Sequence, residues 1–323
     1  VMAPSGGLRY FAGRLVTGAV TLWVVSVLVF SAVHLVPGGY PDIVLGPASS
    51  PQVREALRAE FGLDRPLVLQ YLEWVRHVLT GDLGTSLGTG EPVSAQLMRR
   101  LPVTAELAGL SLALTVLAGV PLALLAGLSR GRFGRGLSRL VGSSAMSVPD
   151  FVLGSLLVFL FSRFSLGLPV GGYVPLAEDP VANLRSMALP ALTLSVFGLA
   201  LVVRTGRDAV AATFSSPHIA AALARGERIG QVTRHHVLRN AAIPVLTVLA
   251  TYAGYLMGGA VIVENLFSLP GVAQAVLNAI NGRDYATVQG LVLVAAAVFI
   301  AINLLADFAY GVVDPRIRAG HRG

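Results

Sequence analysis

Leu15–Val36 reads LVTGAVTLWVVSVLVFSAVHLV, twenty-two consecutive residues without a single Asp, Glu or Arg. As a helix rising 1.5 Å per residue it would be roughly 33 Å long, enough to cross a hydrocarbon layer of about 30 Å. Arg9 and Arg14 stand before it, as they would before a secretory signal. The apolar run, however, is longer than a signal core of roughly 7–15 residues, and His34-Leu35-Val36-Pro37-Gly38 is no small-residue cleavage site. The segment is expected to stay as a membrane anchor.

Five further stretches share this character: Val103–Leu128, Val141–Phe161, Met187–Val203, Ala241–Val263 and Ala286–Ala306. The fourth of the six is short, but its apolar pattern begins near Leu184, and the helix is expected to continue through Thr205 to Thr213 in water. Pro121, Pro149, Pro190 and Pro244 fall in or near the ends of spans, where kinks are expected and neighbouring helices can satisfy freed backbone groups. The whole composition agrees, with 54% apolar residues, 13% charged and a mean hydropathy of +0.72. The predicted fold is therefore all-α and polytopic, with six transmembrane helices. It divides into an N-terminus at 1–14, a first helix at 15–36, an outer helical segment at 37–101, a five-helix core at 102–311 and a tail at 312–323.

A net charge of +7 would suit nucleic acid, so the location of the charge decides its meaning. Fifteen of the 24 basic residues lie before span one, between spans two and three, between four and five, or after span six: Arg9, Arg14, Arg130, Arg132, Arg135, Arg139, Arg204, Arg207, Arg225, Arg228, Arg234, Arg239, Arg316, Arg318 and Arg322. Only Asp208, Glu227 and Asp314 accompany them, whereas the opposite side holds nine Arg and twelve acids. This is the positive-inside pattern, which places both termini in the cytoplasm and 37–101 outside, and assigns the basicity to topology in a lipid bilayer, with no nucleic-acid partner. Within 37–101, Gln52–Phe61 and Pro66–Thr80 have helical periodicity, as short helices over the outer face.

Counting excludes several chemistries. All 24 basic residues are Arg and none is Lys, so there is no Walker A loop, Schiff-base lysine or Ser/Lys pair; no Cys means no thiolate nucleophile, thiolate metal site or disulfide. Of six His only His235 and His236 are neighbours, and in a helix they point about 100° apart, which does not chelate one ion. No catalytic residue, bound cofactor or metal is expected on this chain. Gly254, Gly258 and Gly259 put small residues on one stripe of span five, suited equally to packing within the chain or against another subunit.

The loop from 215 to 240 is the most informative segment. Pro217-His218-Ile219-Ala220-Ala221-Ala222-Leu223-Ala224-Arg225 favours a helix, Gly226 breaks it, and Glu227 onward can restart a helix that enters span five through His235-His236-Val237-Leu238-Arg239-Asn240. Two short helices at an angle, with small side chains on the first, serve either as an amphipathic connector or as a shape that another protein grips.

These residues resemble the permease subunits of ATP-driven (ABC) importers of the dipeptide, oligopeptide and nickel class. Their loop motif is met by Ala221-Ala222, Gly226 and His236-x-Leu238-Arg239-Asn240-Ala241-x-x-Pro244. Gly81-Asp82-Leu83-Gly84-x-Ser86, Leu189-Pro190-Ala191-Leu192-Thr193-Leu194, Val263-Glu264-Asn265-Leu266-Phe267-Ser268-Leu269-Pro270-Gly271 and Asp314-Pro315-Arg316-Ile317-Arg318 look like its other signatures, in order over nearly the whole chain. The resemblance implies a type I ABC-importer permease architecture, a related second permease as heterodimer partner, two cytoplasmic ATPases that carry ATP and Mg, and an extracytoplasmic substrate-binding protein. It makes Pro217, His218, Ala221, Ala222, Arg225, Gly226, Glu227, His236, Arg239 and Asn240 the ATPase-coupling loop. Ala220 departs from the wider importer motif, which often has Glu there.

One intramembrane carboxylate stands out. Asp150 follows Pro149 and lies 11 residues after Arg139, near the middle of span three. Such a group is costly in lipid and is rarely left facing it. It either caps the helix restarted after Pro149 or lines a translocation path and pairs transiently with a cationic cargo group. An ion-gradient-driven secondary transporter using Asp150 is the competing function, though the two halves show no inverted repeat. An intramembrane hydrolase lacks a nucleophile and base within the spans.

Overall fold

The computed structural model describes residues 5–35, 64–129 and 148–313, with Gln52, Glu55 and Gly136 as isolated positions. The described residues are helical almost throughout: α1 (Ser5–Leu35), α2 (Leu67–Leu79), α3 (Val93–Leu128), α4 (Asp150–Phe164), α5 (Pro180–Phe214), α6 (Pro217–Ala224), α7 (Ile229–Val232), α8 (Leu238–Leu266), α9 (Val272–Asn281) and α10 (Tyr285–Val313). Five helical stretches among them are long and apolar enough to cross a membrane: Ala12–Leu35, Val93–Leu128, Pro180–Phe214, Ile229–Leu266 and Tyr285–Leu305. The expected third span is represented by α4, and its first seven residues lie outside the described ones. So do the loop around Arg132, most of the segment 52–61 and the 314–318 motif.

Helix boundaries follow local chemistry. α5 starts at Pro180, four residues before the apolar pattern suggests, because Asp179 caps it: Oδ1 accepts from Val181 N–H at 2.9 Å and Ala182 N–H at 3.0 Å, with Pro180 at the first turn where no N–H is needed. Its far end, Phe214, matches the expected extension to Thr213. Helix continues through Pro121, Pro190 and Pro244.

The chain divides into two compact units. In the one built on Thr104–Leu269, the most buried span, α5, is packed by small residues. Gly119, Ala123 and Gly127 on α3 meet Val202, Gly206 and Val210 on α5, so that a Cβ added at Gly127 would stand 2.6 Å from Val210 and one at Gly206 2.8 Å from Ala123. On its other side, Gly198 faces the buried Tyr252 ring of α8 at 2.5 Å from where a Cβ would be, and the Tyr252 hydroxyl donates to Leu194 O at 3.0 Å. The fully buried Glu264 accepts from Thr104 Oγ1 at 2.6 Å. Tyr173 donates to Glu106 Oε2 at 2.8 Å, and its hydroxyl pKa is pushed up to about 12 by burial and by this carboxylate.

The second unit draws on Ala12–Val103 and Pro270–Ala301. Its Gly81–Ser86 turn requires positive φ at Gly81 (86°) and Gly84 (84°), and the turn closes with Ser86 N–H to Glu91 O at 2.9 Å and Val93 N–H to Gly84 O at 3.0 Å. Asp284, just before α10, holds this turn. Its Oδ2 accepts from Ser86 Oγ at 2.5 Å and Thr287 Oγ1 at 2.8 Å, and Oδ1 accepts from Thr287 N–H at 3.3 Å. Val93, Val272, Ala275 and Leu291 form the apolar cluster beside it.

Burial pushes the Asp284 carboxyl up, but the hydrogen bonds from Ser86, Thr287 and the backbone outweigh it and hold the group below the usual carboxylate range. A depressed folded pKa stabilises the fold above the ordinary carboxyl value of about 4 and loses that contribution as pH falls through the depressed value. Asp284→Asn should therefore cost about 1.5–3 kcal/mol at pH 7. Thermal unfolding of the two proteins in detergent should converge at acid pH; a gap that persists there would contradict the assignment.

Candidate functional site: the loop between helices α5 and α8

The loop is built on a compact apolar knot. Ile219 and Ala222, one helical turn apart on α6, are buried against Val210, Val232, Val237 and Ala241. Pro217 occupies the first turn of α6 after Ser216, whose Oγ donates to Thr213 O at 2.5 Å. This orientation leaves Pro217, His218, Ala220, Ala221, Leu223, Ala224 and Arg225 as the outer surface. Ala222 therefore sits on the inner side of the helix, while Ala221 lies outside. The matched Ala-Ala pair splits between these roles because adjacent helical residues point about 100° apart.

The end of α6 is a Schellman turn. Glu227 N–H donates to Ala222 O at 3.2 Å and Gly226 N–H to Leu223 O at 2.9 Å, with Gly226 at φ +91°. No heavy atom lies within 4 Å of a Cβ built on Gly226, so its requirement is conformational, not steric. Glu227 then ties the turn to the next element. It accepts from Arg225 Nη2 at 2.9 Å and lies 3.6 Å from His236 Nε2, and the Arg225 hydrogen bond, with His236 assisting, holds its carboxyl below the usual range. The His218 and His236 rings are 6.2 Å apart. Thus Arg225, Glu227, His236 and His218 come together, whereas Arg239 and Asn240 lie exposed one turn on, with Asn240 Nδ2 donating to His236 O at 2.9 Å.

Entry into α8 passes through α7 and a π-helical turn at Thr233–Val237. The turn has one more residue per hydrogen-bonded ring than an α-helix, a local form that periodicity does not announce. His235 is exposed while His236 turns to Glu227, and among the described residues no cluster of His and carboxylates could hold a metal.

Asp150 lies apart from the loop, in α4. It is 9% exposed at the first residue of the helix, and Pro149, in the cap position, has no side-chain cap bond. Its carboxylate does not cap its own helix; Oδ2 instead accepts the Tyr255 hydroxyl of α8 at 2.6 Å. The Phe197 ring covers Tyr255 at 4.5 Å between centroids. A Cβ on Gly259 would meet Leu194 at 3.1 Å and Asp150 Oδ2 at 3.5 Å, whereas Gly258 is open and exposed. Gly259 therefore packs inside the chain and Gly258 faces outward, and Gly254 is half-buried on the same helix. The sequence reading missed Tyr255; its signal was a hydroxyl in an apolar span, which requires a partner.

Residues 119–319 match the model of the binding-protein-dependent transport system inner membrane component, and residues 7–108 match the N-terminal model of such membrane components. The chain belongs to this family of ABC-importer permeases. The permease is 34% identical over 309 residues to a probable peptide ABC transporter permease protein of Sinorhizobium fredii, covering 96% of this chain and 99% of that one. It is 36% identical over 296 residues to a putative peptide transport system permease protein of Brucella abortus, covering 91% and 94%. A glutathione transport system permease protein of Salmonella paratyphi A is 34% identical over 311 residues, covering 96% and 99%. The permease fold itself is matched by the MetNI methionine ABC transporter at a TM-score of 0.54 and 18% identity, over 68% of this chain and 96% of that one.

Gly226→Ala places a Cβ in a left-handed backbone position and should cost the loop about 1–2 kcal/mol. Amide hydrogen exchange over 217–232 should accelerate, while that of the adjoining spans stays unchanged. Unaltered exchange in the loop would show that φ at Gly226 is not needed there.

Proposed function

We propose that this permease forms half of the translocation path of a peptide importer in a bacterial inner membrane. It pairs with a related second permease, receives cargo from an extracytoplasmic binding protein, and is driven by two cytoplasmic ATPases. The observation that carries this reading is the loop: a short helix with small outer residues, Ala220, Ala221 and Ala224, fixed from behind by its own apolar knot and locked at its end by a Schellman turn. A rigid, narrow ridge of this kind suits close docking into a groove of an ATPase and transmits its movement into α5 and α8. The peptide assignment is supported by the relatives of Sinorhizobium fredii and Brucella abortus, which are named as peptide permeases.

Reconstituted with its partner subunits, the permease should import peptide only with ATP, and uptake should survive collapse of ion gradients. Uptake driven by a gradient without ATP would favour a secondary transporter instead. Ala221→Trp, which adds bulk to the outer face only, should lower uptake at least about tenfold, a coupling loss of about 1.4 kcal/mol, with the chain still in the membrane. Normal uptake in that variant would remove the loop from the coupling role.

Asp150 belongs to the path in this reading, where its carboxylate and the Tyr255 hydroxyl offer a transient partner to a peptide amine. Asp150→Asn keeps an acceptor for Tyr255 and removes the charge. Uptake of a peptide with a free amino terminus should fall several-fold relative to its acetylated form; equal uptake of both by the variant and the parent would leave Asp150 a structural role alone.

A further inference from the structure

Helix α2 presents three distinct arcs at 100° per residue. Gln70, Tyr71 and Trp74 face α1: the Tyr71 and Ser26 hydroxyls are 2.7 Å apart, Gln70 Oε1 is 3.3 Å from His34 Nε2, and Phe30 lies 5.4 Å from the Tyr71 ring and 5.8 Å from Trp74 between centroids. Glu73, Arg76 and His77 form a mainly polar arc that also holds the exposed Leu69, with Glu73 ion-paired to Arg65 at 3.1 Å. The third arc is Val68, Leu72, Val75 and Leu79, spaced i, i+4, i+7 and i+11. Val68, Leu72 and Leu79 of this apolar stripe are 69%, 55% and 81% exposed.

The contacts with α1 fix the depth of α2. The apolar run that begins within α1 extends to Val36, just before Pro37, and the contact residues His34 and Phe30 lie two and six residues earlier, about 3 and 9 Å below that end. Amphipathic helices that lie in a membrane interface settle with their apolar face about 5–10 Å into the headgroup and acyl boundary. Ser26 is deeper still, about 14 Å below Leu35, and the Tyr71 hydroxyl reaches down to it. Ser26 Oγ already donates to Trp23 O at 2.7 Å, so at that depth it is the Tyr71 hydroxyl that gains its polar partner from Ser26. Tyr71 and Trp74 are also the residue types that gather at the membrane boundary, with an apolar body and a polar tip.

We propose that α2 is an interfacial helix immersed in the leaflet at the C-terminal end of α1, with its Val68, Leu72, Val75 and Leu79 stripe among lipid acyl chains and its Glu73, Arg76 and His77 arc toward the headgroups. This placement differs from a helix lying over the membrane in water, and it does not depend on the transport reading. It makes α2 a lateral brace for the first span.

The natural absence of Cys allows single spin labels at Leu72→Cys, Leu79→Cys and Arg76→Cys in the full chain, assembled with its transporter partners in phosphatidylcholine and phosphatidylglycerol vesicles. Oxygen partitions into lipid and a nickel chelate stays in water, so the ratio of the two relaxation effects should be several-fold higher at positions 72 and 79 than at 76. A label at 72 as open to the nickel chelate as that at 76 would place the stripe in water. One shielded from both reagents would place it against protein, and either result overturns the proposal. Trp23 and Trp74 are the two tryptophans, so Trp23→Phe leaves Trp74 as a native probe. Phospholipids brominated high on the chain should quench it more than those brominated near the chain end; no quenching by either would equally refute the immersion of α2.

Discussion

In lipid, apolar side chains gain little from leaving their solvent for one another, so helices associate through shape and through the polar groups they cannot leave unpaired. The packing around α5 follows from this constraint. Its neighbours approach at glycine and alanine: Gly119, Ala123 and Gly127 on one side, and Gly198 beneath the Tyr252 ring on the other. The hydroxyl of Tyr252, carried into the core by that close approach, is satisfied by Leu194 O at 3.0 Å. Thr104 and Glu264 solve the same problem near the other end of α8. The loop beyond α5 inherits its position from this packing, because Val210, in contact with the Gly127 ridge, is also part of the knot that seats α6.

The loop itself combines a rigid base with an outer surface almost free of bulk. Ile219 and Ala222 supply the base, and the Schellman turn at Gly226 stops the helix before it can extend toward α7. Arg225 and Glu227 add an ion pair on the surface, with His236 beside Glu227, where solvent weakens each contact, so shape and backbone geometry contribute more than charge to holding the loop.

Much of this was legible in the sequence because it is local. Apolar length gave the long spans and Gly226 marks the end of α6, whereas the start of α5 lies four residues before the expected one because the cap at Asp179-Pro180 precedes the apolar pattern. What escaped is set by tertiary pairing. Nothing near Asp150 names Tyr255, which is 105 residues away, and no period distinguishes the inward Ala222 from the outward Ala221 until the knot is formed. Likewise Gly254, Gly258 and Gly259 advertise a small-residue motif, yet tighter approaches to α8 are made by Gly198 of α5 and Gly154 of α4, where an added Cβ would stand 2.5 Å from Tyr252 and from Leu266, and both are isolated glycines without a motif.

The bond between Ser86 and Asp284 has a consequence for how the protein is made. The two residues are 198 positions apart, so at about 5–20 residues per second the hydroxyl waits roughly 10–40 s on the ribosome before its carboxylate exists. During that interval the first half of the second unit is already synthesised, while Pro270–Ala301, which completes it, is not. Loop closure over that distance is entropically expensive, though the cost grows only logarithmically with length. The turn at Gly81–Ser86 is thus a socket laid down early and filled only once Asp284 has been made, so this part of the membrane protein acquires its final order long after its first half is synthesised.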